Sequence, residues 1–232
     1  MKTNFNLLAQ AKQKHQHGNL AAALPLYERV LAIQPKDRQT LYYAAAAFCQ
    51  AGQFKKALAL CDRLIALAPD MPEALLVRGN SYSGLKAYQN ALADLNKVVM
   101  LQPGNYQAQA NLGLTLANLN RLDDAIKAVG KALKLKPDYA LGHKNMGYVY
   151  FEAGQINNAI KSLRKSLALN PKDASTHYNL ARAVAATAQF DAALKSYDTA
   201  LALRPGYVDA MWNKALLVLR NGDFKTGWPL YE

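Results

Sequence analysis

The chain has 232 residues, half of them apolar, which is enough to bury a sizeable core as one large domain or two small ones. Its net charge of +12 directs attention to acidic partners, while no run approaches the ~20 apolar residues of a membrane span and the first residues, MKTNFNLLAQAKQKHQ, lack the apolar stretch of a secretory signal. Cys49 and Cys61 both fall at apolar-patterned helical positions, which speaks for buried free thiols over a disulfide framework and for a reducing, cytoplasmic setting.

Six prolines, Pro35, Pro69, Pro103, Pro137, Pro171 and Pro205, stand 34 residues apart, and a fixed interval of this length marks a repeat architecture. Twelve positions before each stands an alanine: Ala23, Ala57, Ala91, Ala125, Ala159 and Ala193. Four residues further on comes a large or apolar side chain: Tyr27, Cys61, Leu95, Val129, Leu163 and Tyr197. The units run over 4–37, 38–71, 72–105, 106–139, 140–173 and 174–207, with a partial seventh over 208–232.

Taken in order, the unit 4–37 is the loosest, with Lys14 in the slot that later holds Tyr82 and Tyr150. Gly18 parts its two predicted helices, and Gly52 does the same in 38–71, since glycine takes the left-handed conformation that ends a helix. In 72–105, 106–139 and 174–207 that slot holds Lys86, Asn120 and Ala188, of which Asn120 alone tolerates the conformation well. Asp123 and Asp124 open the second helix of 106–139, where acids favour the positive end of the helix dipole. The unit 140–173 shows the pattern most fully: Leu141, Met146, Val149 and Tyr150, then Ile156, Ile160, Leu163, Leu167 and Leu169, recur at helical spacing on either side of Gly154. Pro171 then stops the second helix, and Asp37, Asn105 and Asp173 are placed to cap the helix that follows each loop. Small residues where the helices cross, Ala45, Gly79, Gly113, Gly147 and Ala181 on the first helix, permit close approach.

This spacing resembles the tetratricopeptide-repeat (TPR) pattern W-x2-L-G-x2-Y…A-x3-F…P. One unit reads Leu75-x2-Arg78-Gly79-x2-Tyr82…Ala91-x3-Leu95…Pro103 and another His143-x2-Met146-Gly147-x2-Tyr150…Ala159-x3-Leu163…Pro171. The resemblance implies an all-α, right-handed superhelical solenoid of helix-turn-helix units that binds protein or peptide in a concave groove. It further implies that the groove takes the second, fifth, sixth, ninth, twelfth and thirteenth positions of each repeat. The sixth position holds Asn111, Asn145, Asn179 and Asn213, and an asparagine amide can pair with both groups of a peptide bond. Such a column is similar to the asparagine ladder of O-linked N-acetylglucosamine transferase-like superhelices. Lys144, Tyr178 and Trp212 fill the fifth position, Tyr148 and Arg182 the ninth, and Phe151 the twelfth. Tyrosine, tryptophan and arginine carry much of the binding energy at interfaces, so this group in repeats five to seven is the candidate partner site. The carboxylate clamp that holds chaperone tails is not matched. From Lys144 the chain gives Tyr148, Asn179, Asp209 and Asn213, of which only the lysine and the middle asparagine fit.

Lys127, Lys161 and Lys195, and Lys97, Lys131 and Lys165, keep the 34-residue interval on second helices and form basic stripes. No Arg/Gly-rich segment or nucleic-acid module accompanies them, so no nucleic-acid partner is expected. No phosphate loop, dinucleotide fingerprint or metalloprotease motif is present, and His15, His17, His143 and His177 lack the companions of a zinc site. Neither a metal, a cofactor nor a catalytic set is expected in this chain. Near the end, Gly227 stands where the small residue of the second helix belongs and Pro229 follows, so the segment is expected to kink or leave the array. Gly222-Asp223-Phe224, Gly227-Trp228 and Tyr231-Glu232 resemble a junction in bacterial proteins where a TPR array passes into a glycosyltransferase-like domain. That implies a substrate-recruiting arm with a catalytic domain beyond residue 232, or an uncapped end open to self-association.

Overall fold

The computed structural model describes residues 2–231, with side chains described over 6–229. Those residues form fourteen helices: α1 (Lys2–Gln16), α2 (Leu20–Ile33), α3 (Arg38–Gln50), α4 (Phe54–Leu67), α5 (Pro72–Gly84), α6 (Tyr88–Leu101), α7 (Tyr106–Asn118), α8 (Leu122–Leu135), α9 (Ala140–Glu152), α10 (Ile156–Leu169), α11 (Ala174–Ala185), α12 (Phe190–Leu203), α13 (Val208–Arg220) and α14 (Phe224–Tyr231). No strand occurs among the described residues. The all-α helix-turn-helix expectation therefore holds.

Local chemistry sets the helix ends. Each second helix stops two residues before its proline, at Ile33, Leu67, Leu101, Leu135, Leu169 and Leu203. Proline has no N–H to continue the ladder. After the loop, Asp37 accepts a hydrogen bond from the Thr40 N–H, Asn105 from that of Ala108 and Asp173 from that of Ser175. These are the caps expected from sequence, and each satisfies one of the orphan donors of a helix start. Between paired helices the chain turns through a left-handed residue. Glycine holds it at Gly18, Gly52, Gly154 and Gly222, but Lys86, Asn120 and Ala188 adopt φ of 60°, 59° and 59°. At the second turn the Gln53 N–H donates to the Phe48 carbonyl at 2.9 Å, the long bond of a Schellman cap.

The helices fall into two compact units, Met1–Leu119 and Asn120–Glu232. In the first, neighbours pack in chain order and α1, α3, α5 and α7 also touch one another in sequence. In the second, α9, α11 and α13 do the same. First helices thus make a continuous layer within each unit, and second helices cover one side of it.

Alanines at the helix crossings are fully buried, as are Tyr27, Cys61, Leu95, Val129 and Leu163, with Tyr197 2% exposed. The small-residue rule is visible at Gly147, where a Cβ would lie 2.5 Å from Leu163 Cγ. Cys49 and Cys61 are free, and burial pushes the Cys61 thiol up to about 12, so neither suits nucleophilic chemistry.

Two features depart from the sequence reading. First, the segment at Gly227 and Pro229 neither unwinds nor leaves the stack: α14 is helical through Pro229 and packs on α13. Gly227 makes this possible, because a Cβ there would sit 2.5 Å from Leu219 Cδ2. Asp223 caps the helix by accepting from the Thr226 N–H at 3.0 Å. Pro229 is exposed, so the carbonyl it leaves unbonded faces water. Pro25, inside α2, occupies the same register and is also exposed. Tyr231 and Glu232, the last residues of the junction pattern, lie outside the described side chains. Second, Arg78, which stands where the repeat pattern has leucine, joins an ionic cluster. Its Nε and Nη2 donate to the two oxygens of the buried Asp94 at 2.8 Å each, and its Nη1 to Asp62 at 2.9 Å.

Candidate functional site

The predicted site residues lie on the first-helix layer, Asn111 in Met1–Leu119 and the rest in Asn120–Glu232. Helical register gives them matching positions on first helices, yet it does not make them equivalent. Asn145 is buried, 4% exposed. Asn111 donates to Asn80 Oδ1 at 2.7 Å, linking α7 to α5. Asn213 donates to the Asp209 carbonyl at 2.8 Å and to the Tyr178 hydroxyl at 3.2 Å. Asn179 is half-buried and makes no side-chain hydrogen bond among the described residues. The column is regular in sequence, while its amides are differently engaged.

Lys144 is tied into the scaffold. Its Nζ donates to Ser175 Oγ and to Asp173 Oδ2, both at 3.0 Å. Burial opposes ionisation of Asp173, but hydrogen bonds from Thr176, Lys144 and Ser175 and the charge of Lys144 outweigh it and hold the carboxyl at about 2. A cap and a salt bridge thus share one carboxylate at the start of α11. His143 and His177 do not approach a shared metal position. Each donates from Nε2 to the carbonyl of the proline before its helix, Pro137 at 2.8 Å and Pro171 at 2.9 Å. Among the described residues no group of three His, Cys, Asp or Glu side chains could hold a metal ion.

Arg182, Tyr178, Asn213 and Phe151 do converge. The Arg182 guanidinium lies 4.5 Å over the Phe151 ring and 5.7 Å from that of Tyr178, with Glu152 Oε1 at 3.6 Å from Nη2. Tyr178 packs against Tyr207 with centroids 5.0 Å apart. Beside Phe151, Arg182 and Asn213 opens a cleft of about 290 Å³, lined also by Ala185, Ala186, Tyr197, Leu216, Leu217 and Arg220. Phe151, Arg182, Asn213, Leu216 and Arg220 all stand at the sixth, ninth, twelfth or thirteenth position of their repeats. Tyr148 is half-buried on α9, and Trp212, 45% exposed on α13, does not line this cleft. Leu216 and Arg220 went unnoticed in the sequence, although carrying the repeat register into the partial seventh unit would have placed both.

Met1–Leu119 repeats the arrangement in the same register. Lys12, His15, Gln16, Tyr27, Tyr43 and Gln50 line a cleft of about 330 Å³. Tyr27 there and Tyr197 in the other unit occupy the same slot after the small alanine, and burial raises each hydroxyl to about 12. Lys12 sits 4.3 Å from the Tyr43 ring centroid. By contrast Lys127, Lys131, Lys161, Lys165 and Lys195 are exposed on second helices, away from both clefts.

A family model described as TPR repeat matches residues 115–154 and 147–187, and one described as tetratricopeptide repeat matches 178–226. A third, for subunit 3 of the anaphase-promoting complex, or cyclosome, matches 16–98. No curated protein matches the chain significantly. Among solved structures, MamA is 23% identical with a TM-score of 0.59, over 75% of this chain and 95% of MamA. Human IFIT1, solved as a dimer with m7Gppp-AAAA, is 17% identical with a TM-score of 0.76, over 95% of this chain and 57% of IFIT1. A tetratricopeptide repeat protein from Parabacteroides merdae is 13% identical with a TM-score of 0.76, over 99% of this chain and 91% of that one. At such identities the likenesses show the fold alone, an all-helical repeat solenoid, while the family matches assign tetratricopeptide repeats to residues 115–226. The likeness to the transferase superhelix and to the glycosyltransferase junction gains no support from these matches.

Proposed function

We propose that the first-helix layer of Asn120–Glu232 holds an extended segment of a partner protein, so that the chain acts as a binding scaffold. The observation that carries this reading is the cleft at Arg182, where residues from α9, α11 and α13 that share groove positions converge on one opening. It mixes apolar wall with a few directed polar groups, the composition typical of a binding cleft. Tyr178, Arg182 and Trp212 are of the residue types that dominate interface energetics. Asn179 has its amide open to a passing backbone, and Tyr148 lies one repeat earlier in the register of Arg182. Asn213 and Lys144 act by holding Tyr178 and the α11 cap in place. Asn111 belongs to the equivalent face of Met1–Leu119.

Site-resolved photocrosslinking tests the reading. Ala186→p-benzoylphenylalanine places the probe in the cleft and Lys161→p-benzoylphenylalanine on a second helix. In cells making the full chain, a discrete crosslinked polypeptide is expected from position 186 and not from 161. Equal yields from both positions, or none from 186, would sink the proposal.

A second reading, that the chain is the recruiting arm of a larger glycosyltransferase-like enzyme, is favoured by one observation. Val208, Met211, Trp212, Leu216, Phe224 and Trp228 leave α13 and α14 with large exposed apolar side chains. Apolar surface of that extent calls for cover, by a further domain or by a second copy. Reading the gene past the codon for Glu232 tests it, and a stop codon there refutes it.

A further inference from the structure

Resting on the groove reading, we infer that the cleft between Arg182 and Arg220 selects a segment carrying an acidic side chain beside an aliphatic one. Two guanidinium groups line this opening. Arg182 is held in place by stacking on Phe151, but its contact with Glu152 is long at 3.6 Å. A charge-assisted bond is nearer 2.8 Å, so an incoming carboxylate can displace Glu152 or share the guanidinium with it. Arg220 lies 5.5 Å from the Phe190 ring centroid and has no carboxylate within 4 Å among the described residues. The cleft therefore presents one loosely paired cation and one solvent-exposed cation with no carboxylate partner among the described residues. Phe151, Ala185, Leu216 and Leu217 supply the apolar wall against which a neighbouring aliphatic side chain rests.

Internal symmetry sharpens the assignment. In the cleft of Met1–Leu119 Lys12 stands in the register of Arg182 and lies over Tyr43, but Gln16 and Gln50 stand in the register of Ala186 and Arg220, so the second cation is missing. The paired-cation arrangement is thus particular to the cleft of Asn120–Glu232. A side-chain carboxylate is favoured over a chain terminus, because Tyr148 and Asp209 stand where a terminal-carboxylate clamp would need asparagine and lysine. An acid at position 209 would repel a terminal carboxylate brought to that clamp.

A positional-scanning library of decapeptides, acetylated and amidated so that only side chains carry charge, is immobilised and probed with the labelled full chain in 0.15 M salt. Peptides with Asp or Glu at one preferred position are expected to retain the chain about fivefold better than those with Asn or Gln. Arg220→Gln should bring that ratio below about twofold. Arg220 is exposed, and an unaltered thermal melt shows that the variant folds. Equal retention of acidic and neutral peptides would overturn the inference while leaving the groove reading intact. So would an acid preference that survives Arg220→Gln but is lost in Lys161→Gln/Lys165→Gln, which would move it to the second helices. Retention only of non-amidated peptides would assign the cleft to a terminal carboxylate instead. Failure to retain any peptide would overturn the groove reading itself.

Discussion

Ala188 turns the chain between α11 and α12 at φ 59°, a conformation that L-residues with a Cβ avoid at a cost of about 1–2 kcal/mol. Four equivalent turns use glycine. The slot was legible from the 34-residue interval; the conformation of Ala188 and Lys86 was not, because the packed helices on either side force the turn whatever residue stands in it. Ala188→Gly is therefore expected to raise stability by up to about 1 kcal/mol, the strain relieved less the entropy that glycine adds to the unfolded chain. Urea midpoints at constant m-value measure this, and a lower midpoint would contradict it. Asp173 gives a pH-dependent case at the same scale. Its carboxyl is depressed to about 2, so its contribution is fully present above the unfolded value near 3.8 and is lost as pH falls through 2. Asn can still cap α11 but cannot pair with Lys144. Asp173→Asn should cost roughly 1 kcal/mol at pH 7, less than the full shift implies because the pair is partly solvated. The difference in melting temperature from wild type should shrink steadily below pH 4, and a constant gap would show that the ion pair contributes nothing.

At the scale of elements, the periodic prolines and alanines mark the ends and crossings of the first six helix pairs because they act through short-range physics, helix termination and close approach; the seventh pair, with Gly227 in the alanine slot, lay outside that pattern. What they could not convey is which side chains of neighbouring helices close over each position. Asn145 is buried while Asn179 is half-buried, although both hold the sixth position. The ionic cluster was hidden for a similar reason. Arg78 on α5 and Asp94 on α6 are 16 residues apart, and only the packing of the pair brings their side chains into a bidentate contact. Asp94 is 8% exposed at its side chain, so removing its partner strands a buried charge. Arg78→Leu alone is expected to destabilise by about 3 kcal/mol, whereas Arg78→Leu/Asp94→Leu should recover most of that loss. A double-mutant cycle by chemical denaturation reads the coupling. If the double variant is as unstable as the sum of the singles, the pair is not coupled as its geometry indicates.

Across a whole stack of repeats, each helix is stabilised chiefly by the ones it touches, and stability varies along the chain accordingly. Within Asn120–Glu232, α10 lies between α9 and α11, while among the described residues α14 rests on α13 alone and carries Gly227 and Pro229. A helix with one neighbour opens without disturbing the others, so its amides report local fraying rather than global unfolding. Hydrogen exchange of the native chain should find the amides of α14 at least about tenfold less protected than those around Leu163 and Ser166 in α10. The same measurement also bears on the groove. A capped acidic peptide bound at Arg182 and Arg220 bridges α11 and α13, and should slow exchange in both while leaving α14 unchanged. Protection rising equally through α8 to α14 would mean that the stack opens as one cooperative body, and the nearest-neighbour account would fail with it.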